Sequence, residues 1–125
     1  MFINEKDVKK FPKIETLIGE GCSLVGNLNG EGLIKLDGSI EGDINWLDDI
    51  IIGASCSYSG NVTCKNATID GTVQGNMICE ENLVISPSGR LIGNITVKNL
   101  EICKGGYFDG KCTMIVEKPE KELMD

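Results

Sequence analysis

The most reactive side chains of this sequence are thiols, which bind soft metals, attack electrophiles and form disulfides. The chain has six of them, at Cys22, Cys56, Cys64, Cys79, Cys103 and Cys112. No C-x-x-C pair occurs, and the spacings match no zinc-binding pattern. The N-terminus has no apolar stretch like that of a secretory signal, so we expect reduced thiols. Cys64 and Cys79 are interpreted as small buried hydrophobes, and the other thiols near turns (Cys22, Cys56, Cys103) as more accessible.

Other groups that support catalysis or phosphate binding are missing or are explained by turns. The chain has no His to act as a general base, and no Ser lies in a nucleophile elbow. The pairs Gly19/Gly21 and Gly30/Gly32 belong to no complete phosphate-binding sequence. We therefore predict no catalytic, cofactor-binding or metal-binding residues and no enzyme activity.

Length and charge narrow the class of protein further. The chain has 125 residues, enough for one domain, and a net charge of −7, which disfavours nucleic acid as a partner. Aromatic residues make up only 5% of it. The longest apolar run is too short for a transmembrane helix, so the expected location is cytoplasmic.

One nine-residue sequence motif occurs twice. Residues 36–44 read LDGSIEGDI, and residues 69–77 read IDGTVQGNM, with the Asp and both Gly positions coinciding. Apolar residues alternate with polar or Gly positions, as they do in a β-strand. A motif that recurs at a fixed spacing is typical of a repeat fold.

The second half of this motif occurs six times, and each copy is centred on a glycine: Gly26, Gly42, Gly60, Gly75, Gly93 and Gly110. These anchor glycines lie 16, 18, 15, 18 and 17 residues apart. Alternating apolar pairs precede each anchor, and a further strand position follows it. The chain thus predicts three short strands per repeat, separated by turns rich in Gly, Asn, Asp and Ser.

Three strands in a turn of about 17 residues predict a parallel β-helix, because each coil can bury its apolar side chains only against its neighbours. The fold class is all-β, with a single domain of about six coils between short flexible tails. We expect an N-terminal tail over residues 1–13, a β-helix polymerisation domain over 14–115 and a charged, disordered tail over 116–125.

The two ends of such a stack would expose strand edges, which proteins normally cover. No amphipathic helix is available as a cap, and apolar residues collect in the outermost coils. The alternative is that the tails fold over the ends. We favour end-to-end stacking, with a polymerisation interface at Phe108, Tyr107, Met114, Ile102, Leu17, Ile18 and Leu24.

The extreme N-terminus is a second candidate site. Met1, Phe2 and Ile3 form an apolar tip, and Lys6 is the first of four nearby lysines. Apolar insertion combined with attraction to anionic lipid anchors many peptides at membrane surfaces. The alternative is an ordinary solvated tail, since two acidic residues dilute the charge.

The ordered set of repeats resembles the bactofilins, which are bacterial cytoskeletal proteins. The resemblance rests on Thr16-Leu-Ile-Gly-Glu-Gly, Gly26-Asn, LDGSIEGDI and Gly93-Asn-Ile. It implies a right-handed β-helix that polymerises into non-polar filaments without nucleotide. It also implies a scaffold at the inner face of the cytoplasmic membrane for cell shape, cell-wall enzymes or other clients. Membrane contact would fall on Met1, Phe2 and Lys6, and assembly on Phe108.

Two other functions stay open from the residues. One is a binding module that holds glycan or cell-wall material along a flat face, although few aromatic residues are available to stack on sugars. The other is a hexapeptide-repeat acyltransferase, whose regular coils and catalytic His this chain lacks.

Overall fold

The computed structural model of the chain describes residues 14–116 and contains strands and turns throughout that range. The strands are β1 (Ile14–Ile18), β2 (Ser23–Val25), β3 (Leu28–Gly30), β4 (Leu33–Leu36), β5 (Ser39–Glu41), β6 (Ile44–Trp46), β7 (Asp49–Ile52), β8 (Ser57–Ser59), β9 (Val62–Cys64), β10 (Asn66–Ile69), β11 (Thr72–Gln74), β12 (Met77–Ile85), β13 (Arg90–Ile92), β14 (Ile95–Ile102), β15 (Tyr107–Asp109) and β16 (Cys112–Met114). They form six coils of a parallel β-helix, as the repeat predicts.

Each coil contributes one strand to each of three faces. The second face is a separate six-stranded sheet in the order β2-β5-β8-β11-β13-β15, with every pairing parallel. The first and third faces join into one sheet, because β12 and β14 each run from the third strand of one coil into the first strand of the next. Six coils of three strands would give eighteen strands, and because of the two fusions the described residues contain sixteen.

The core is a set of columns in which equivalent residues stack in register. Ile34 pairs with Ile50, Ile50 with Ala67, and Ala67 with Leu83. Leu36 and Ile52 belong to a second column two residues further along each strand. All of these side chains are buried. No polar or charged side chain is buried among residues 14–116, so the core of the described coils is apolar.

The anchor glycines stack at one corner of the helix, and both their conformation and their lack of a side chain are required there. Gly42 and Gly75 have φ of 141° and 139°, values that L-residues rarely adopt. A Cβ on Gly75 would lie 1.9 Å from the carbonyl oxygen of Gly60 in the preceding coil. The recurring glycine is therefore a packing requirement of the coil stack.

Two aromatic side chains complete the core. Tyr58 is buried and donates its hydroxyl to the carbonyl oxygens of Gly42 and Asn61. Trp46 is buried beneath Gly30, and its indole N–H donates to the carbonyl oxygen of Gly32 at 2.6 Å. A residue larger than glycine at position 30 would meet the Trp46 ring, so the small and the large side chain are matched across coils.

Residues 14–116 include no helix long and apolar enough to span a bilayer.

Candidate assembly interface

The last coil presents its core-facing side chains at an open end. We call this set the C-terminal end face: Leu100, Ile102, Phe108, Cys112 and Met114. These residues continue the columns of the preceding coil, where Ile102 pairs with Ile85 and Met114 with Val97. Ile85 and Val97 are 0% exposed, whereas Ile102 is 44% and Met114 47% exposed. The sequence pattern is the same in both coils, so the difference arises because no described coil covers the last one.

Phe108 is the member of this end face that β15 contributes, at the end of the six-stranded sheet. It pairs with Leu91, which is fully buried, and its ring packs against the core while remaining partly exposed. A ring in this position offers a large apolar contact to any molecule that stacks on the end. The sequence pattern predicted Phe108, Ile102 and Met114 as interface residues. Leu100 and Cys112 were not predicted, although the spacing of the repeat places them in the same columns.

The first coil presents an equivalent surface at the other end. We call Ile18, Leu24 and Leu28 the N-terminal end face. Their partners in the second coil, Leu36, Ile40 and Ile44, are buried, whereas the three residues of the end face are only half-buried. Both ends of the coil stack therefore carry apolar side chains that the interior coils bury completely.

Two of the residues predicted for the interface point elsewhere. Leu17 is 59% exposed and lies on the outer surface of the first face, beside Lys35. Tyr107 is on the outer surface of the second face, where the guanidinium of Arg90 stands 4.9 Å from its ring centroid. Both side chains lie near an end of the stack without belonging to an end face.

The predicted membrane residues Met1, Phe2, Ile3 and Lys6 lie outside the described residues, as do residues 117–125 of the C-terminal tail.

The cysteines fall into buried and exposed groups. Cys64 and Cys79 are buried with their Sγ atoms 3.7 Å apart, and the hydrogen bond to Cys79 together with burial raises the pKa of the Cys64 thiol. Such protonated, enclosed thiols are poor nucleophiles. Within residues 14–116 no three His, Cys, Asp or Glu side chains come together as they would around a metal ion.

The accessibility expected for Cys56 was wrong. Cys22 is exposed and Cys103 is half-buried, but Cys56 is buried. Cys56 belongs to an interior coil, and the corners of the coils before and after it cover its turn. Burial, with a smaller effect of the Asp37 carboxylate, raises the pKa of the Cys56 thiol from 9.0 to about 11.

A ladder of polar side chains that the sequence analysis missed follows the anchor glycines. In each step, a side-chain oxygen of one coil accepts a hydrogen bond from the main-chain N–H of the equivalent residue in the next coil. The ladder runs Asn27, Asp43, Asn61, Asn76, Asn94 and Lys111. Its signal was the Asn or Asp directly after five of the six anchors. The ladder reinforces stacking on the outside of the helix, and it ends at Lys111.

A second ladder joins the starts of the first-face strands in coils 3 to 6. The Asn66 amide donates to Asp49 at 2.9 Å, the Asn82 amide donates to Asn66 at 3.1 Å, and the Asn99 amide donates to Asn82 at 2.9 Å. Repeated amides at this position therefore have a structural role.

Comparison with known proteins agrees with this architecture. The family model Bactofilin, described as polymer-forming and cytoskeletal, matches residues 16–113. The fold is similar to that of the cytoskeletal bactofilin BacA, whose atomic structure was revealed by solid-state NMR. The TM-score is 0.73 and the identity 22%, covering 81% of this chain and 96% of that one. No curated protein matches the chain. From the family match across the six coils, this chain belongs to the bactofilins, a family of polymer-forming cytoskeletal proteins.

Proposed function

We propose that this protein assembles end to end, without nucleotide, into non-polar filaments that serve as a membrane-associated scaffold. The observation that carries the assembly is the contrast between Ile85 and Ile102, and between Val97 and Met114, in the same core columns. Covering the C-terminal end face with another coil would bury these side chains as the interior coils do. Each buried aliphatic side chain contributes about 1.5–3 kcal/mol relative to full exposure.

Hydrogen bonding favours the same contact. Interior strands pair on both sides, but within residues 14–116 the outer edges of β1, β2 and β3 at one end, and of β15, β16 and the second half of β14 at the other, have no neighbouring strand. A second copy that stacks on an end could satisfy these main-chain groups and extend the sheets. This contact needs no nucleotide, because the pairing groups are already arranged by the preceding coil.

The Asn ladder supports a non-polar filament. A head-to-tail junction would place the main-chain N–H of Asn27 above Lys111, whose ammonium group cannot accept a hydrogen bond. Junctions between like ends avoid this mismatch, since they do not need to continue the ladder. Each such junction is isologous, so successive copies reverse direction along the filament.

The membrane part of the proposal rests on the N-terminal sequence. Met1, Phe2 and Ile3 supply an apolar tip, and Lys6 and its neighbours supply positive charge. A single peptide of this kind binds weakly, but a filament would display many copies and gain avidity. The clients that the resemblance implies, cell-wall enzymes or other localised machinery, would then be recruited to a membrane-bound polymer.

Assembly is tested by Phe108→Arg, observed by negative-stain electron microscopy of purified full chain without nucleotide. We expect the wild type to form filaments and the variant to remain short while keeping a β-rich circular dichroism spectrum. The matched control is Thr113→Arg, which adds the same charge to the same coil at an exposed, outward-facing position. Long filaments from Phe108→Arg would refute the assignment of this face.

Membrane contact is tested by co-sedimentation with vesicles that contain anionic lipid. The full chain should pellet with the vesicles, and a version without residues 1–5 should stay in the supernatant while still forming filaments. Equal pelleting of both proteins would exclude the N-terminal tip as the anchor.

A further inference from the structure

The C-terminal end face contains two sulfur atoms in contact. The Cys112 Sγ lies 3.6 Å from the Met114 Sδ, with the thiol donating to the thioether. Both residues belong to β16 and are separated by one residue, so their side chains leave the strand on the same side. They continue the core columns of Ile95 and Val97 and therefore point toward the helix axis.

We propose that this sulfur pair is half of a binding site for a soft monovalent cation, Cu(I), and that a second copy completes it across the C-terminal junction. The completed site rests on the proposed assembly. Thiolate and thioether are the donors that select Cu(I) over harder ions. Binding replaces the S–H bond of Cys112 with a metal–sulfur bond, and the proton leaves to solvent.

The distance between the two sulfur atoms fits shared coordination of one ion. With metal–sulfur bonds of about 2.3 Å, a separation of 3.6 Å subtends an angle of about 103° at the metal. This angle is close to that between two ligands of a tetrahedral site. Residues 14–116 bring no three His, Cys, Asp or Glu side chains together, so two donors from one chain leave positions open on the ion.

The symmetry of the proposed junction supplies the missing donors. Cys112 and Met114 point toward the core from the outermost coil, and Met114 is 47% exposed, so their sulfur atoms lie at the surface that a second copy would cover. In an isologous junction between coaxial helices, the two-fold axis crosses the helix axis at the interface. In the junction that we propose, this two-fold axis passes beside the sulfur pair, so the same pair of the second copy faces the first and gives two thiolates and two thioethers around one ion.

The other pair of sulfur atoms in contact within residues 14–116 is less suitable. Cys64 and Cys79 are equally close to each other but are enclosed by coils on both sides. Met114, by contrast, is 47% exposed. The N-terminal end face of Ile18, Leu24 and Leu28 contains no sulfur. Cu(I) would therefore act at one of the two kinds of junction and stabilise it by mass action.

The test is an anaerobic titration of purified full chain with Cu(I), using a chromophoric chelator as competitor. We expect one Cu(I) per two chains that depends on Cys112, and filaments at lower protein concentration when Cu(I) is present. Cys112→Ser and Met114→Leu, which nearly conserve volume, should each lose this equivalent. Cys22→Ser, which removes an exposed thiol of the first coil, should retain it.

The failures of the two proposals are distinguishable. Wild-type filaments whose Cu(I) binding is unchanged in Cys112→Ser would overturn the metal site and leave assembly standing. Absence of wild-type filaments, with and without Cu(I), would overturn the proposed assembly. One Cu(I) per chain, bound through Cys112 and Met114 in the absence of filaments, would overturn the shared site as well.

Discussion

The stacked anchor glycines allow a comparison between two substitutions that differ in one respect. Gly26 and Gly75 have nearly the same φ, 137° and 139°. A Cβ added to Gly26 meets nothing within 4 Å, whereas a Cβ on Gly75 lies 1.9 Å from the carbonyl oxygen of Gly60. Gly26→Ala therefore measures the cost of the backbone conformation, and Gly75→Ala measures that cost together with the clash between coils.

The magnitude of the clash follows from the distances. To restore an ordinary contact of 3.4 Å, coils 3 and 4 must separate by about 1.5 Å at this corner. The flanking hydrogen bonds from Gly60 N–H to Gln74 and from Val62 N–H to Asn76 are each 2.9 Å long. They would lengthen to about 4.4 Å, which is beyond hydrogen-bond range.

Losing two hydrogen bonds costs about 1–3 kcal/mol, and the unfavourable φ costs about 1–3 kcal/mol more. We therefore expect Gly75→Ala to lower the free energy of unfolding by about 2–6 kcal/mol, and Gly26→Ala by about 1–3 kcal/mol. Urea unfolding followed by circular dichroism measures both free energies. The measurement is repeated over a range of protein concentrations, because the proposed self-association would add apparent stability. Equal losses for the two variants would refute the argument that the clash between coils requires glycine.

Three further predictions concern the core, pH and filament polarity. Trp46→Ala should lower the free energy of unfolding in urea by about 3–5 kcal/mol, because it empties the space beneath Gly30. The control Leu47→Ala, at a 71% exposed position, should change this free energy little. Similar losses for the two variants would contradict the packing of Trp46 in the core. The free energy of unfolding should fall as pH rises from about 9 to about 11, because the unfolded chain releases the Cys56 proton near 9.0 while the folded chain holds it to about 11. In urea unfolding at a series of pH values, a Cys56→Ala variant should show a shallower fall of the midpoint than the wild type. The same pH profile for both proteins would exclude this contribution. Residues 14–32 carry three carboxylates and no Lys or Arg, and residues 98–116 carry three Lys and two acids, so junctions between like ends join like charges and added salt should lengthen filaments. Shortening with salt, measured by light scattering, would instead indicate a head-to-tail polymer.

Much of the architecture was predictable from the sequence because the repeat is local. Alternation with period two assigns Ile34, Ile50 and Leu83 to the core without knowledge of their neighbours, and the spacing of the anchor glycines gives the number of coils. The requirement for glycine at Gly75 also follows from its recurrence. The physical reason is that every interior coil has the same surroundings, so one repeat describes them all.

The tertiary structure decided which side chains are buried at the positions where a coil lacks a neighbour or where a neighbouring coil covers a turn. Ile85 and Ile102 occupy equivalent positions, yet only the first is covered, and this difference defines the C-terminal end face. Cys56 is buried because it lies between two coils, although its local sequence is that of an exposed turn. Leu17 and Tyr107 are apolar residues of the outer coils whose strands turn them outward. Strand alternation determines which way a side chain points, but burial depends on a neighbouring coil that lies 15–18 residues away.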